Sequence, residues 1–115
     1  MEESVRNKIG VIRIADEVIL AIAGLAATDV KGVSTLAGGI TNDRITTSGI
    51  KDLGKAVRIN VVENSVEVRI AVVLDGTVSI PECSEEIQDK VKNQIESMTG
   101  MDVTEVQVII AGVTA

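Results

Sequence analysis

The chain has 115 residues, with 17 acidic and 11 basic side chains, a net charge of −6 and a hydrophobic content of 45%. It contains no His, Trp, Tyr or Phe, and its single cysteine is Cys83. These absences exclude an imidazole base, a Ser-His or Cys-His nucleophile pair, a His-ligated or cysteine-cluster metal site, a disulfide within the chain and base stacking on aromatic rings.

The length fits one domain, and we predict a flexible N-terminal segment over residues 1–8 followed by a single domain over residues 9–115. Arg13, Asp16 and Glu17 interrupt the apolar run that a cleavable signal would need. No stretch of about 18 uncharged apolar residues occurs, so we expect no direct membrane insertion. The lone thiol and the missing signal indicate a cytoplasmic protein.

Residues 9–14 are apolar and β-branched, which predicts a strand, and residues 15–29 then change to a helical period. The predicted buried stripe of this helix is Ala15, Val18, Ile19, Ile22, Leu25 and Ala26. Its other face carries almost no charge, which indicates close packing against either a sheet edge or another subunit. As a candidate interaction surface we name Leu20, Ala23, Gly24 and Ala27.

A short strand is predicted over residues 30–36, and the glycine-rich stretch 37–54 is the least regular part of the chain. Its length makes it either mobile or functional, and a small-ligand-binding loop is one hypothesis. Residues 49–55 match the GxxxxGK pattern of a phosphate-binding loop, but Ala56 stands where Ser or Thr would ligate Mg²⁺. Because the segment opens a strand and not a helix, we interpret the match as chance.

Two alternating segments, residues 55–62 and 65–75, predict a β-hairpin. The inward residues are odd-numbered on the first strand and even-numbered on the second, so the loop has an even length. The simplest solution is the two-residue turn Glu63-Asn64, in which Asn tolerates a positive φ.

A second helix is predicted over residues 80–99, with Ser79 as its cap, Pro81 in the first turn and Gly100 at the end. Its predicted buried stripe includes Cys83, which we interpret as a small core residue, and consists of Ile80, Cys83, Ile87, Val91, Ile95 and Met98. A last strand follows over residues 103–113. The element order β-α-β-β-β-α-β predicts an α+β fold, a mainly antiparallel sheet with two helices packed on one face.

The negative charge lies in the second half of the chain, where residues 61–115 hold 10 acidic and 3 basic side chains. On the second helix, Glu85, Glu86 and Asp89 form either a solvated face or a docking surface for a basic partner. An acidic half disfavours nucleic acid. On the last strand we name Ile109 and Ala111, on its outer face, as further interaction residues. No catalytic, cofactor-binding or metal-binding residues are assigned.

Several segments form a pattern in their order and spacing: GVIRIADEVI at 10–19, VKGV at 30–33, GKAV at 54–57, VSIPE at 78–82, IQ at 87–88, MTG at 98–100 and the strand 106–113. Together they resemble the alkaline-shock-protein family of envelope stress response proteins from Gram-positive bacteria, over roughly residues 8–113.

The resemblance implies a non-enzymatic, cytoplasmic protein of cell-envelope homeostasis and stress response. Such proteins self-associate and are held near the membrane by a small membrane-anchored partner. Some short members are tied instead to fatty-acid synthesis, so a regulatory module that binds a lipid-synthesis enzyme such as acetyl-CoA carboxylase is the alternative. Both hypotheses predict protein partners, and neither requires a cofactor.

Overall fold

The computed structural model describes residues 14–48 and 52–114. Within them the chain forms an α+β fold, which confirms the predicted class. The elements are α1 (Asp16–Thr28), β1 (Val33–Leu36), α2 (Asn42–Ser48), a 3-10 turn (Leu53–Lys55), β2 (Val57–Val62), β3 (Ser65–Asp75), α3 (Ile80–Thr99) and β4 (Asp102–Thr114). The predicted first strand, residues 9–14, lies almost entirely outside the described residues, as does the N-terminal segment 1–8.

Strand β3 is the centre of a four-stranded sheet. On one edge, β2 pairs with its first half and β1 with its second half, both antiparallel. The backbone of Ala71 bridges the two pairings, because its N–H donates to the Ala56 carbonyl (2.8 Å) and its carbonyl accepts from the Ala37 N–H (2.9 Å). The other edge pairs with β4 along its whole length.

The pairing of β3 with β4 is parallel, whereas the other two pairings are antiparallel. The reason is the connection: the 20 residues of α3 return the chain along the helical layer, so β4 starts at the same end of the sheet as β3. Helices α1 and α3 both pack on one face of the sheet, as predicted.

The hairpin has the predicted register, from Val57 opposite Ile70 to Val62 opposite Ser65, with a two-residue turn. The residue with positive φ in that turn is Glu63 (φ 55°), and not the expected Asn64. Gly100 ends α3 in the left-handed conformation (φ 75°), as predicted. Ser79 precedes α3, but its side chain makes no capping hydrogen bond.

The core lies between the sheet and the helices, and the inward residues of β3 are at most 1% exposed. Two predicted stripes need correction at their ends. On α1, Val18 is 48% exposed and Ala15 is exposed, because the buried face is rotated toward Ala23 and Ala27. On α3, Ile80 (43%) and Met98 (65%) are exposed at the two ends of the helix.

The glycine-rich stretch 37–54 is more regular than predicted, since it contains α2 and most of the 3-10 turn. Three apolar side chains anchor it, and Ile40, Ile45 and Leu53 are each at most 4% exposed in the core. Residues 49–51 fall outside the described residues. The stretch therefore covers part of the core through three anchors that follow no helical period.

Candidate interaction surface

The sheet has one face without a helical layer, which we call the open face. Side chains alternate along a strand, so the inward Val66, Val68 and Ile70 of β3 leave its odd-numbered residues on the other side. Partners in register share a face, which extends the open face onto β2 and β4. Its central members are Arg58, Asn60, Glu67, Arg69, Ala71, Val73, Glu105, Gln107, Ile109 and Ala111, while Val62, Ser65 and Asp102 lie at one end of it and Asp75 at the other.

Charges of like sign stand beside one another on the open face. Arg58 of β2 lies directly opposite Arg69 of β3, and we call this pair the arginine row. Glu67 of β3 lies beside Glu105 of β4, and we call this pair the glutamate row. The two rows are two residues apart along β3, a separation of about 7 Å. The open face thus carries a positive band next to a negative one.

Both rows line one shallow depression of about 290 Å³ on the sheet. The Nε–H of Arg69 donates to Oε1 of Gln107 (3.1 Å), which orients that guanidinium across the sheet toward β4. Within the described part of the chain, none of the four charged residues forms an ion pair. Like charges directly opposite each other are destabilising on a sheet, so neither pair stabilises the fold by itself.

Beyond the arginine row, the open face is uncharged up to Asp75 at the end of β3. Ile109 is 39% exposed, Ala111 is exposed, and Ala71 and Val73 are half-buried beside them. The structure therefore places the predicted residues Ile109 and Ala111 on the outer side of the last strand, as their alternation suggested. Their contact with a partner stays a prediction.

The other predicted interaction face, on α1, is wrong for three of its four residues. Ala23 and Ala27 are fully buried, and Gly24 is buried beneath the stretch that follows β1. A Cβ atom at Gly24 would lie 3.0 Å from Leu53 Cδ2 and 3.1 Å from Ile45 Cδ1. Small side chains permit this close approach within the chain, and only Leu20 keeps partial exposure.

The predicted acidic residues Glu85, Glu86 and Asp89 are exposed on the outer side of α3. The helix is tied to the end of α1 by an ion pair between Lys90 Nζ and Asp29 Oδ2 (2.8 Å). The acidic side chains thus lie on a helix that packs on the covered face of the sheet. This surface is separate from the open face.

Cys83 carries the chain's one thiol, and it is buried at 3% exposure. Burial raises the pKa of this thiol, and the nearby Glu86 carboxylate raises it further. The sulfur lies 3.8 Å from the Lys31 carbonyl oxygen. A raised pKa keeps the thiol protonated and therefore unreactive. Cys83 is a core residue, as predicted.

The arginine and glutamate rows were missed among the sequence-based predictions. The sequence did contain a signal for the arginine row, because a two-residue turn at 63–64 places residue 58 opposite residue 69. The glutamate row had no such signal, since it depends on the parallel register of β4, which includes two irregularities.

In residues 14–48 and 52–114, no group of acidic or cysteine side chains could hold a metal ion, and no helix could cross a membrane.

Comparison with known proteins gives the family. The alkaline shock protein family, described as having a cell envelope-related function, matches residues 4–115. The chain is 29% identical over 105 residues to the uncharacterized protein YqhY of Bacillus subtilis, covering 91% of this chain and 78% of that protein. It is 34% identical over 109 residues to the uncharacterized protein Spy1535 of Streptococcus pyogenes, covering 93% and 81%.

Among solved structures, a variant of MamM-CTD has a similar fold, with a TM-score of 0.54 and 13% sequence identity, covering 85% of this chain and 98% of that one. At this identity the likeness concerns the fold alone. The family match spans nearly the whole chain and confirms the resemblance drawn from the motifs. The chain belongs to the alkaline shock protein family, whose function is cell envelope-related.

Proposed function

We propose that this protein is a non-enzymatic component of cell-envelope homeostasis and stress response that acts in the cytoplasm by protein–protein interaction, including self-association. The observation that carries the proposal is the open face. A sheet covered by helices on one side exposes two charged rows and the side chain of Ile109 on the other. Patterned surface charge orients a partner and selects against wrong ones at protein contact surfaces.

Two observations support a role without catalysis. The chain has no His to act as a base near neutral pH, and burial together with Glu86 raises the pKa of its one thiol. The depression on the open face is shallow and lined by charged side chains at the surface. An enzyme site, in contrast, is typically an enclosed cleft with a few polar groups held in an apolar lining.

We further propose that a small membrane-anchored partner protein holds this chain near the membrane, an expectation that comes from the resemblance and that agrees with the cell envelope-related function of the family. The direct test uses a deletion strain of the native host, complemented with variants and challenged by alkaline shock and cell-wall inhibitors. The arginine-reversal variant, Arg58→Glu with Arg69→Glu, is expected to fail to restore growth. The helix-face variant, Glu85→Arg with Asp89→Arg, is the matched control and is expected to restore it.

Equal rescue by both variants would contradict a role for the open face. Western blotting for equal protein levels separates loss of contact from loss of folding. Substitution of exposed charges is expected to change the free energy of unfolding by no more than about 0.5 kcal/mol.

A second candidate rests on the acidic surface of α3, where Glu85, Glu86 and Asp89 are exposed. Under this alternative the protein regulates fatty-acid synthesis by docking on a basic surface of acetyl-CoA carboxylase. The expected result is salt-sensitive co-purification with a biotin-dependent carboxylase component. The helix-face variant would lose this partner and the arginine-reversal variant would keep it, which is the opposite of the outcome expected above.

A further inference from the structure

We propose that the open face binds a second copy of the same chain across a two-fold axis, with the positive band of each copy over the negative band of the other. This inference rests on the proposed role of the open face and names its partner. The occupant follows from the pattern of charge, which is self-complementary only after one particular rotation.

In the isolated chain, both rows hold like charges at neighbouring positions. Arg58 faces Arg69, and Glu67 lies beside Glu105. Like charges directly opposite each other destabilise a sheet. No ion pair within the described residues relieves either row. A partner that supplies the opposite charge to both rows therefore has two sites of attraction about 7 Å apart.

In a symmetric dimer whose two identical sheets pack face to face, the two-fold axis lies between the sheets. An axis that runs across the strands, between the two rows, reverses the strand direction and places Arg69 over Glu67 of the partner subunit. The same rotation places Glu67 over the partner's Arg69, so the contact is made twice. Arg58 then lies one strand to the side of the partner's Glu67, about 4.8 Å away along the sheet.

An axis along the strands gives the opposite result, because it places Arg69 over Arg69 of the partner subunit and Glu67 over the partner's Glu67. Charge alone therefore selects between the two orientations. The selected one has antiparallel strands in facing sheets, which is compatible with the aligned class of sheet packing. The rejected orientation is strongly disfavoured, since like charges that meet across an interface oppose association.

The size of the open face sets the strength of the contact. The three strands lie about 4.8 Å apart, and β2 has 6 residues, β3 11 and β4 13, so the open face measures at most roughly 30 by 15 Å. This is below the ~800 Å² per partner of a standard stable interface. We therefore expect a weak, reversible dimer that depends on salt. Raising the salt from about 0.1 M to about 1 M shortens the screening length from about 10 Å to about 3 Å and should weaken the dimer.

The test is a charge-reversal exchange followed by sedimentation velocity on the full chain. The arginine-reversal variant makes both rows negative, and the glutamate-reversal variant, Glu67→Arg with Glu105→Arg, makes both positive. Each variant alone is expected to lose self-association by about tenfold or more in Kd. An equimolar mixture of the two is expected to form a heterodimer, because each row again meets its opposite charge.

The helix-face variant is the control, because Glu85→Arg with Asp89→Arg changes the net charge as much as the glutamate reversal does. It is expected to dimerise like the wild type. Circular dichroism of each variant verifies folding, and heterodimer formation itself requires that both variants fold. The proposal is overturned if the wild type is monomeric at low salt, if either reversal variant self-associates like the wild type, or if the mixture stays monomeric.

Failure here is distinguishable from failure of the proposed function. If the chain is monomeric and the arginine-reversal variant still fails to rescue the deletion strain, the open face contacts a different protein. If the chain dimerises as described and the variant rescues fully, the dimer stands and the envelope role of this face does not.

Discussion

The two sides of β3 differ in what the fold requires of them. On the covered side, Val66, Val68, Ile70, Val72 and Leu74 are at most 1% exposed and contribute the centre of the core. On the open side, Glu67 and Arg69 are exposed and meet like charges on the neighbouring strands. The covered side is explained by folding. Adjacent like charges on the open side do not help folding, and we propose that they serve contact with another molecule.

The helical layer shows the same contrast on a smaller scale. On α1, the small residues Ala23, Gly24 and Ala27 are buried against the chain itself, while Val18 on the first turn is 48% exposed. Lack of charge on a helix face thus indicates close packing, but it does not identify which molecule packs there. The open face is a candidate contact surface because it combines exposure with a pattern of charge.

The largest effect is expected in the helical layer that covers the sheet, from Gly24→Glu on α1. A side chain there would meet Leu53 and Ile45 at 3.0–3.1 Å and bury a carboxyl group among apolar atoms. An uncompensated buried charge costs about 3–5 kcal/mol, a large part of the stability of a small domain. Thermal unfolding followed by circular dichroism should show a strongly lowered Tm or an unfolded chain.

The control for this substitution is Val18→Glu, which places the same carboxylate on an exposed position of the same helix. Its effect is expected to stay within about 0.5 kcal/mol. Equal destabilisation by the two substitutions would mean that α1 is not oriented as described.

The next largest effect compares the two faces with one chemical change. Ile70→Ala removes a fully buried side chain and should lower the free energy of unfolding by about 2–5 kcal/mol. Ile109→Ala makes the same truncation at a residue that is 39% exposed on the open face, and should cost about 1 kcal/mol or less. Urea unfolding at low protein concentration measures both. Similar losses at the two positions would show that the open face is covered within the single chain.

A smaller effect is expected at the polar link between α3 and β4. Glu96 Oε2 accepts from Lys92 Nζ (2.7 Å) and from the Val103 N–H (3.1 Å), and these bonds hold the pKa of Glu96 below its ordinary value. A lowered pKa in the folded state stabilises the protein above the pKa of the unfolded chain, and this contribution is lost as the pH falls through the folded value.

Glu96→Gln should therefore lower stability at pH 7, by less than Ile70→Ala does, and the difference should vanish in strong acid. Urea unfolding between about pH 7 and about pH 2 measures this. Glu85→Gln serves as the control, since that exposed carboxylate has no bond to β4 among the described residues. A loss that is independent of pH would contradict the assigned cause.

Much of the fold was predictable from the sequence because its signals are local. The alternation of apolar and polar residues predicted the hairpin and its two-residue turn, and Gly100 predicted the end of α3. The helical stretch after β1 was not predictable, since Ile40, Ile45 and Leu53 are anchors set by tertiary contact and follow no period.

The candidate site was predictable only in part. Ile109 and Ala111 follow from alternation along one strand, and the arginine row follows from the turn length. The glutamate row needs the register of β4 relative to β3, which is set by the return path of α3 and by irregularities near Val66 and Val72. The α1 face was mistaken because Ala and Gly look alike in sequence whether they are buried or contact a partner.

The most direct test of the open face as the contact surface is an NMR dilution series on the ¹⁵N-labelled wild-type chain at low salt. Amide signals of Arg58, Glu67, Arg69, Glu105 and Ile109 are expected to shift with protein concentration, while those of the acidic surface of α3 stay constant. Shifts confined to α1 and α3, or none at all, would contradict self-association through the open face.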